Sequence, residues 1–297
     1  MRCLTCAVLV LLLCLACACA GADSVSFGAV TADTGDRYVD LQDQVIRNWD
    51  AFYEFLDSFP ELEKVDMFAT RITRQRIEEI HARYPDVEFG MTMSFGEHTV
   101  RTDVTAFSTL HDSDSGWHSN QELALLRFCP NLYALDIGHN YITDLSFLYE
   151  MPQLRVLIVA IAKITDLTPI ASLEHLEYLE VFYNQVTDIS PLASLKRLMD
   201  LNISYNFIED VTPLMGMTSL RRLWMHECNR RHPREPGEEL QAELMRALPD
   251  CHIDFTSTST GGGWREDPHF DVIYRMFRSR VYEPFADSDP ANIPEGF

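Results

Sequence analysis

Past its first twenty residues the chain is short of cysteine. Of eight in 297 residues, five stand at positions 3, 6, 14, 17 and 19, leaving Cys129, Cys228 and Cys251. Three widely spaced thiols build no disulfide framework, and no C-x-x-C spacing survives to hold a metal. Buried apolar thiols, with one bridge at most, are the expected state. Positive charge is scarce too: 24 Lys and Arg face 45 Asp and Glu, a net charge of −21. A phosphate backbone needs a basic stripe, so nucleic acid is not an expected partner, and an anionic membrane surface is disfavoured. Catalytic signatures are also missing: there is no G-x-S-x-G elbow, phosphate loop, dinucleotide fingerprint or H-E-x-x-H pair. His111 to Gly116 hold two carboxylates at calcium-loop spacing but lack the third ligand and the closing Glu. His226 and Glu227, beside His232, have no metal-ligand spacing. The chain therefore reads as a non-enzyme with no catalytic residue, no metal ligand and no cofactor. The alternative is a cell-surface hydrolase or metal-binding enzyme built on an insertion at 101–118.

What is present begins with an export signal. Arg2 precedes an apolar run from Leu4 to Ala20, and small residues at Ala16, Ala18, Ala20 and Ala22 suit cleavage after Ala20 or Ala22. Residues 1–20 are read as a signal peptide. In the alternative lipoprotein signal, Cys17 or Cys19 would carry the lipid, although the usual Leu three residues upstream is missing from both. Membrane contact is expected only through such an anchor.

The dominant feature is a period. Leu132, Leu154, Leu176, Leu198 and Leu220 are each 22 residues apart, which is the mark of a solenoid. Within one unit apolar residues recur at fixed offsets, as in Leu176, Leu179, Val181, Val186, Ile189 and Leu192. The three-then-two spacing at the head predicts a short strand with Leu179 and Val181 on the same face. Asn140, Asn184 and Asn206 follow eight places on, where an amide can bond backbone freed by a turn; Ala162 and Cys228 break this ladder. Thr168-Pro169, Ser190-Pro191 and Thr212-Pro213 open a short helix or 3₁₀ turn, and Asp144, Asp166, Asp188 and Asp210 repeat as turn and cap residues. One unit cannot fold alone. Ordering its backbone costs about 22–44 kcal/mol, while burying six aliphatic side chains returns about 9–18 kcal/mol. Neighbours must cover its faces, and the ends need lids.

The pattern L-x-x-L-x-I-x-x-N-x-I-T-D-L, from Leu132 to Leu145, resembles the leucine-rich-repeat family, in its short 22-residue, internalin-like bacterial class. The resemblance covers Leu132 to about Asn229. It implies an α/β fold: a right-handed solenoid with a concave parallel β-sheet used for protein recognition, closed by helical N- and C-terminal caps. With the export signal, the expectation is a secreted or bacterial cell-surface protein, a monomer, that binds a protein or less readily a glycan through that sheet.

The flanks divide accordingly: 21–39 a linker, 40–131 an N-terminal cap with a divergent repeat and the insertion, 132–230 five repeats, 231–282 a C-terminal cap, and 283–297 a mobile acidic tail. Helical spacing of Leu41, Val45, Trp49, Phe52 and Leu56 predicts a helix starting after Asp40. Further helices are expected over 73–84, after the Ser119-x-x-Glu122 capping box, and through Phe270, Ile273, Tyr274, Phe277 and Val281. Val87, Phe89, Met91, Met93 and Phe95 alternate as a strand.

If the strand offsets three and five are buried, the residues between them face the concave side. The candidate binding residues on that wall are Ile158, Tyr178, Glu180, Phe182, Tyr183, Asn202, Tyr205, Arg222, Trp224 and His226. The row is unusually apolar for an exposed sheet, which suits partner anchoring. The alternative is that the rings pack on one another or under a flanking cap.

Overall fold

The computed structural model describes residues 23–95, 98–110, 117–233, 236–257 and 263–297. The leader with Cys17 and Cys19 lies outside the described residues, as does His111 to Gly116.

The chain opens with a hairpin, β1 (Ser24–Phe27) and β2 (Val30–Asp33), then β3 (Tyr38–Asp40) and α1 (Trp49–Leu56). The stretch expected as a linker is thus structured. Phe27 sets its ring 5.6 Å from Phe52 and 5.8 Å from Phe55, seating the hairpin on the helix. The helix starts later than its apolar spacing predicts. Asp40 is in a strand, and Asn48 is the cap, its side chain accepting from the Ala51 N–H. Leu41 is buried from a loop rather than a helix face. Next come β4 (Lys64–Ile72), α2 (Arg74–Arg83), β5 (Glu88–Phe95) and β6 (His98–Arg101), which with β3 form a four-stranded sheet, parallel except for β6.

A second, seven-stranded sheet is the body of the molecule. Its strands are β7 (Ala106–Ser108), β8 (Ala134–Asp136), β9 (Val156–Ile158), β10 (Tyr178–Glu180), β11 (Asp200–Asn202), β12 (Arg222–Trp224) and β13 (His252–Asp254). They are parallel and hydrogen-bonded in chain order. From β8 to β12 partners stand 22 residues apart, as in Tyr178 with Asp200 and Leu179 with Leu201. This register and the core behind it make the chain an α/β leucine-rich-repeat solenoid. The 101–118 stretch is not simply inserted: Ala106–Ser108 supplies the first strand of this sheet, with Phe107 buried beside Leu135. Between β7 and β8 the capping box at Ser119 and Glu122 opens α3 (Asn120–Leu123). After β12, α4 (Glu238–Ala247) leads into β13.

Leu135, Leu157, Leu179, Leu201 and Leu223 lie fully buried in one core with the residues that follow them on each coil. Asn184 holds its turn by donating to the carbonyls of Val159 and Val181 at 2.8 and 3.0 Å, while its Oδ1 accepts from the Ile164 N–H. Asn206 and Asn140 do the same in their coils. On the far side, Asp144, Asp166, Asp188 and Asp210 each accept, at 2.8 Å, the N–H of the residue two places on, opening a 3₁₀ turn. These carboxylates satisfy donors that the turn leaves free.

Candidate functional site

Three places past the end of each strand from β8 to β12 stands a residue held left-handed. His139, Ile161, Tyr183, Tyr205 and Glu227 have φ between 44° and 59°. None is glycine, and each pays a cost of about 1–2 kcal/mol for that conformation. The ladder between coils holds them there: His139 N–H donates to Ala160, Ile161 to Phe182, Tyr183 to Ser204 and Tyr205 to His226, at 2.8–3.1 Å. The result is a row of large side chains along the C-terminal edge of the sheet.

The concave wall itself is covered. A last helix, α5 (Pro268–Ser279), crosses it, and Trp264, Ile273, Met276, Phe277, Tyr282 and Phe285 form a second apolar cluster with Ala134, Val156, Ile158, Tyr178, Phe182 and Trp224. Seven of the ten candidate binding residues, Ile158, Tyr178, Glu180, Phe182, Asn202, Arg222 and Trp224, sit on the concave side but are buried. The expectation of an open wall is thereby corrected, and the packing alternative describes it. The physical reason lies in the apolarity of the row, which α5 matches with its own buried face. Of the other three, which lie at or past the strand ends, Tyr205 is buried as well, Tyr183 is 39% exposed, and His226 is half-buried with Nδ1 3.2 Å from the Phe255 carbonyl.

Several polar groups of the wall bond the same segment. Trp264 rests on Tyr178 and Trp224, at 5.5 and 5.1 Å between ring centres, and its Nε1–H donates to Glu180 Oε1 at 2.9 Å. Tyr178 also donates to Glu180. Burial lifts the Glu180 carboxyl above the usual range, against the pull of these donors. Arg222 pairs with Asp200 at 2.7 Å, and the other Asp200 oxygen lies 2.6 Å from His269 Nδ1, whose Nε2 is 2.7 Å from Asp287. Burial opposes charge on the His269 ring, but the hydrogen bonds and charges of Asp200 and Asp287 together raise its pKa.

The terminal stretch packs against the sheet. It runs back along the N-terminal edge of the sheet, where Ser288 and Asn292 bond Glu177, Arg155 donates to the Asn292 carbonyl at 2.9 Å, and Arg197 meets Asp289 at 2.6 Å. Its acidic composition suggested a solvated tail; the carboxylates instead find wall cations, and Phe285 stacks on His269 at 4.4 Å.

The open C-terminal edge holds two grooves. One, of about 430 Å³, is lined by Trp117, Tyr141, Ile161 and Lys163 among others; the second, of about 600 Å³, by Lys163, Tyr183, Phe207, Arg230 and Arg231 among others. Trp117 and Tyr141, 57% and 54% exposed, stack at 3.5 Å, and Tyr183 stacks on Tyr205 at 4.2 Å. Sequence reasoning missed Trp117, Tyr141, Lys163 and Arg230. Tyr141 and Lys163 occupy one repeat position, nine places after the leading Leu, a signal that could have placed them together. Of the chemistry-bearing residues, Cys129 and Cys228 are buried and in no disulfide, and burial pushes the Cys251 thiol up to about 12. Among the described residues no group of three or more His, Cys, Asp or Glu is placed to hold a metal, and no helix is long and apolar enough to cross a membrane.

No protein-family model matches the chain, and no curated protein matches it in sequence. Two internalins resemble it. An internalin (inlF) from Listeria monocytogenes is 22% identical, with 58% of this chain and 43% of that one covered, at a TM-score of 0.35. An internalin C2 (inlC2) from the same organism is 24% identical, with 56% and 72% covered, also at 0.35. The chain thus spans less than half the length of the first internalin. The solenoid assignment rests on the strand register and its core.

Proposed function

We propose that this chain is an exported leucine-rich-repeat module of the 22-residue class that recognises a protein partner, using the open C-terminal edge of its sheet. The observation that carries this proposal is the run of exposed rings and Ile161 on that edge, set on backbone that the interstrand ladder makes rigid. Aromatic anchors on a rigid frame bind at low entropic cost. The concave wall, by contrast, is already filled by residues 264–297, so Ile158, Phe182 and Trp224 serve a partner only if that segment leaves. Replacing Tyr141, Ile161 and Tyr183 with Ala, and measuring capture of partners from surface extracts against the parent chain, tests the proposal. Lost capture with unchanged melting supports it; undiminished capture refutes it. Export is proposed on the leader composition, and the N-terminal residue of the mature protein, read by mass spectrometry, checks it.

A further inference from the structure

We infer that the edge recognises an acidic peptide segment of its protein partner, with Lys163 and Arg230 as the anion-binding groups; this rests on the edge being the recognition surface. The chain carries 45 acidic residues, yet these two exposed cations have no ion-pair partner among the described residues. Aromatic rings hold them instead: Lys163 Nζ lies 4.8 Å from the centre of Tyr141, and Arg230 Cζ 5.6 Å from the centres of both Tyr183 and Phe207. Neighbouring Arg231, by comparison, is already paired with Glu209 at 3.1 Å. A ring face orients a cation without neutralising it, so its hydrogen-bond donors stay free for an incoming carboxylate. Both cations line the same 600 Å³ groove, and Lys163 also lines its neighbour, so the two grooves make one strip.

A peptide fits this strip better than a sugar. A pyranose needs a bare ring face, but Tyr141 is stacked on Trp117 and has the Lys163 ammonium over its ring, and Tyr183 is stacked on Tyr205 with Arg230 beside it. The total charge of −21 does not forbid an acidic ligand, since exposed charges beyond a Debye length of about 8 Å at physiological salt are largely screened.

The test is panning of the full chain against a random twelve-residue peptide library at physiological salt, followed by titration of the enriched peptides. The inference expects enrichment of Asp and Glu, and about tenfold weaker binding for each of Lys163→Gln and Arg230→Gln. It also expects that the double charge reversal, Lys163→Glu with Arg230→Glu, enriches Lys and Arg peptides instead. Both positions are exposed, and unchanged melting curves establish that the variants fold. Enrichment of neutral peptides that depends on Tyr141 and Tyr183 but not on the cations overturns the acidic assignment while leaving the edge as the recognition surface. Peptides indifferent to the whole strip overturn both, and polygalacturonate binding as tightly as the best peptide overturns the commitment to a peptide.

Discussion

Trp264 is the pin that holds the C-terminal segment on the wall, and Trp264→Ala should release that segment without unfolding the repeats. The side chain is fully buried, with Tyr178 and Trp224 around it and the Arg222 guanidinium 4.6 Å from its ring centre. Truncating a buried Trp costs about 3–5 kcal/mol. At 1.4 kcal/mol per decade, a loss of about 4 kcal/mol raises opening of the segment roughly a thousandfold. Trp264→Phe retains most of the ring but leaves Glu180 without one donor, a smaller cost of about 1–3 kcal/mol. The repeat core lies on the opposite face of the same strands, so it should stay closed. Native-state hydrogen exchange separates these outcomes. Amides of α5 should exchange far faster in Trp264→Ala and moderately faster in Trp264→Phe, with those of Leu179 and Leu201 unchanged. Unaltered α5 protection, or simultaneous loss of protection in α5 and the repeat strands, would refute the reasoning.

Three further outcomes follow from the same contacts. Asn184→Ala deprives the Val159 and Val181 carbonyls and the Ile164 N–H of their partner, and should cost about 2–4 kcal/mol in urea denaturation. Because its folded pKa is raised, His269 stabilises the docked segment fully below its ordinary value of 6.5, and that contribution is lost as pH rises through the folded value. Exchange of α5 amides should therefore accelerate beyond the intrinsic rate as pH rises above 6.5, and His269→Gln should remove the acceleration. Burial pushes the Asp136 carboxyl up to about 7, against the opposing bonds from Gly138 and Ser108. Its ionisation in the unfolded chain then lowers stability as pH rises from about 4 to 7. Asp136→Asn should melt higher than the parent at pH 8 and the same below pH 4.

The repeats were legible because their period is written in side chains that must be hidden: Leu179 and Val181 fix which face of a three-residue strand goes inward, and every later offset follows. A local rule sufficed at Ser119 and Glu122, whose capping box opens α3. Ala106–Ser108 was not legible, since Ala106 pairs with Ala134, 28 residues on, and falls out of the period. The helix before Asn48 was overcalled because Leu41 and Val45 match helical spacing while the backbone there follows the strand at Tyr38–Asp40. The row expected to be open shares one face of the sheet and is covered there. Apolar periodicity in Ile273 and Phe277 announces a buried helix face but carries no information about which distant surface will bury it. Ile158, Phe182 and Trp224 look alike whether they await a partner or the chain's own terminus.

Hydroxyl-radical footprinting of the full chain tests the arrangement most directly, because it reads ring accessibility residue by residue. A filled wall with an open edge predicts rapid oxidation of Trp117, Tyr141 and Tyr183, and protection of Tyr178, Trp224 and Trp264. Oxidation of Tyr178 and Trp224 at the rate of Trp117 would contradict it, for the wall would then be open and the terminus elsewhere.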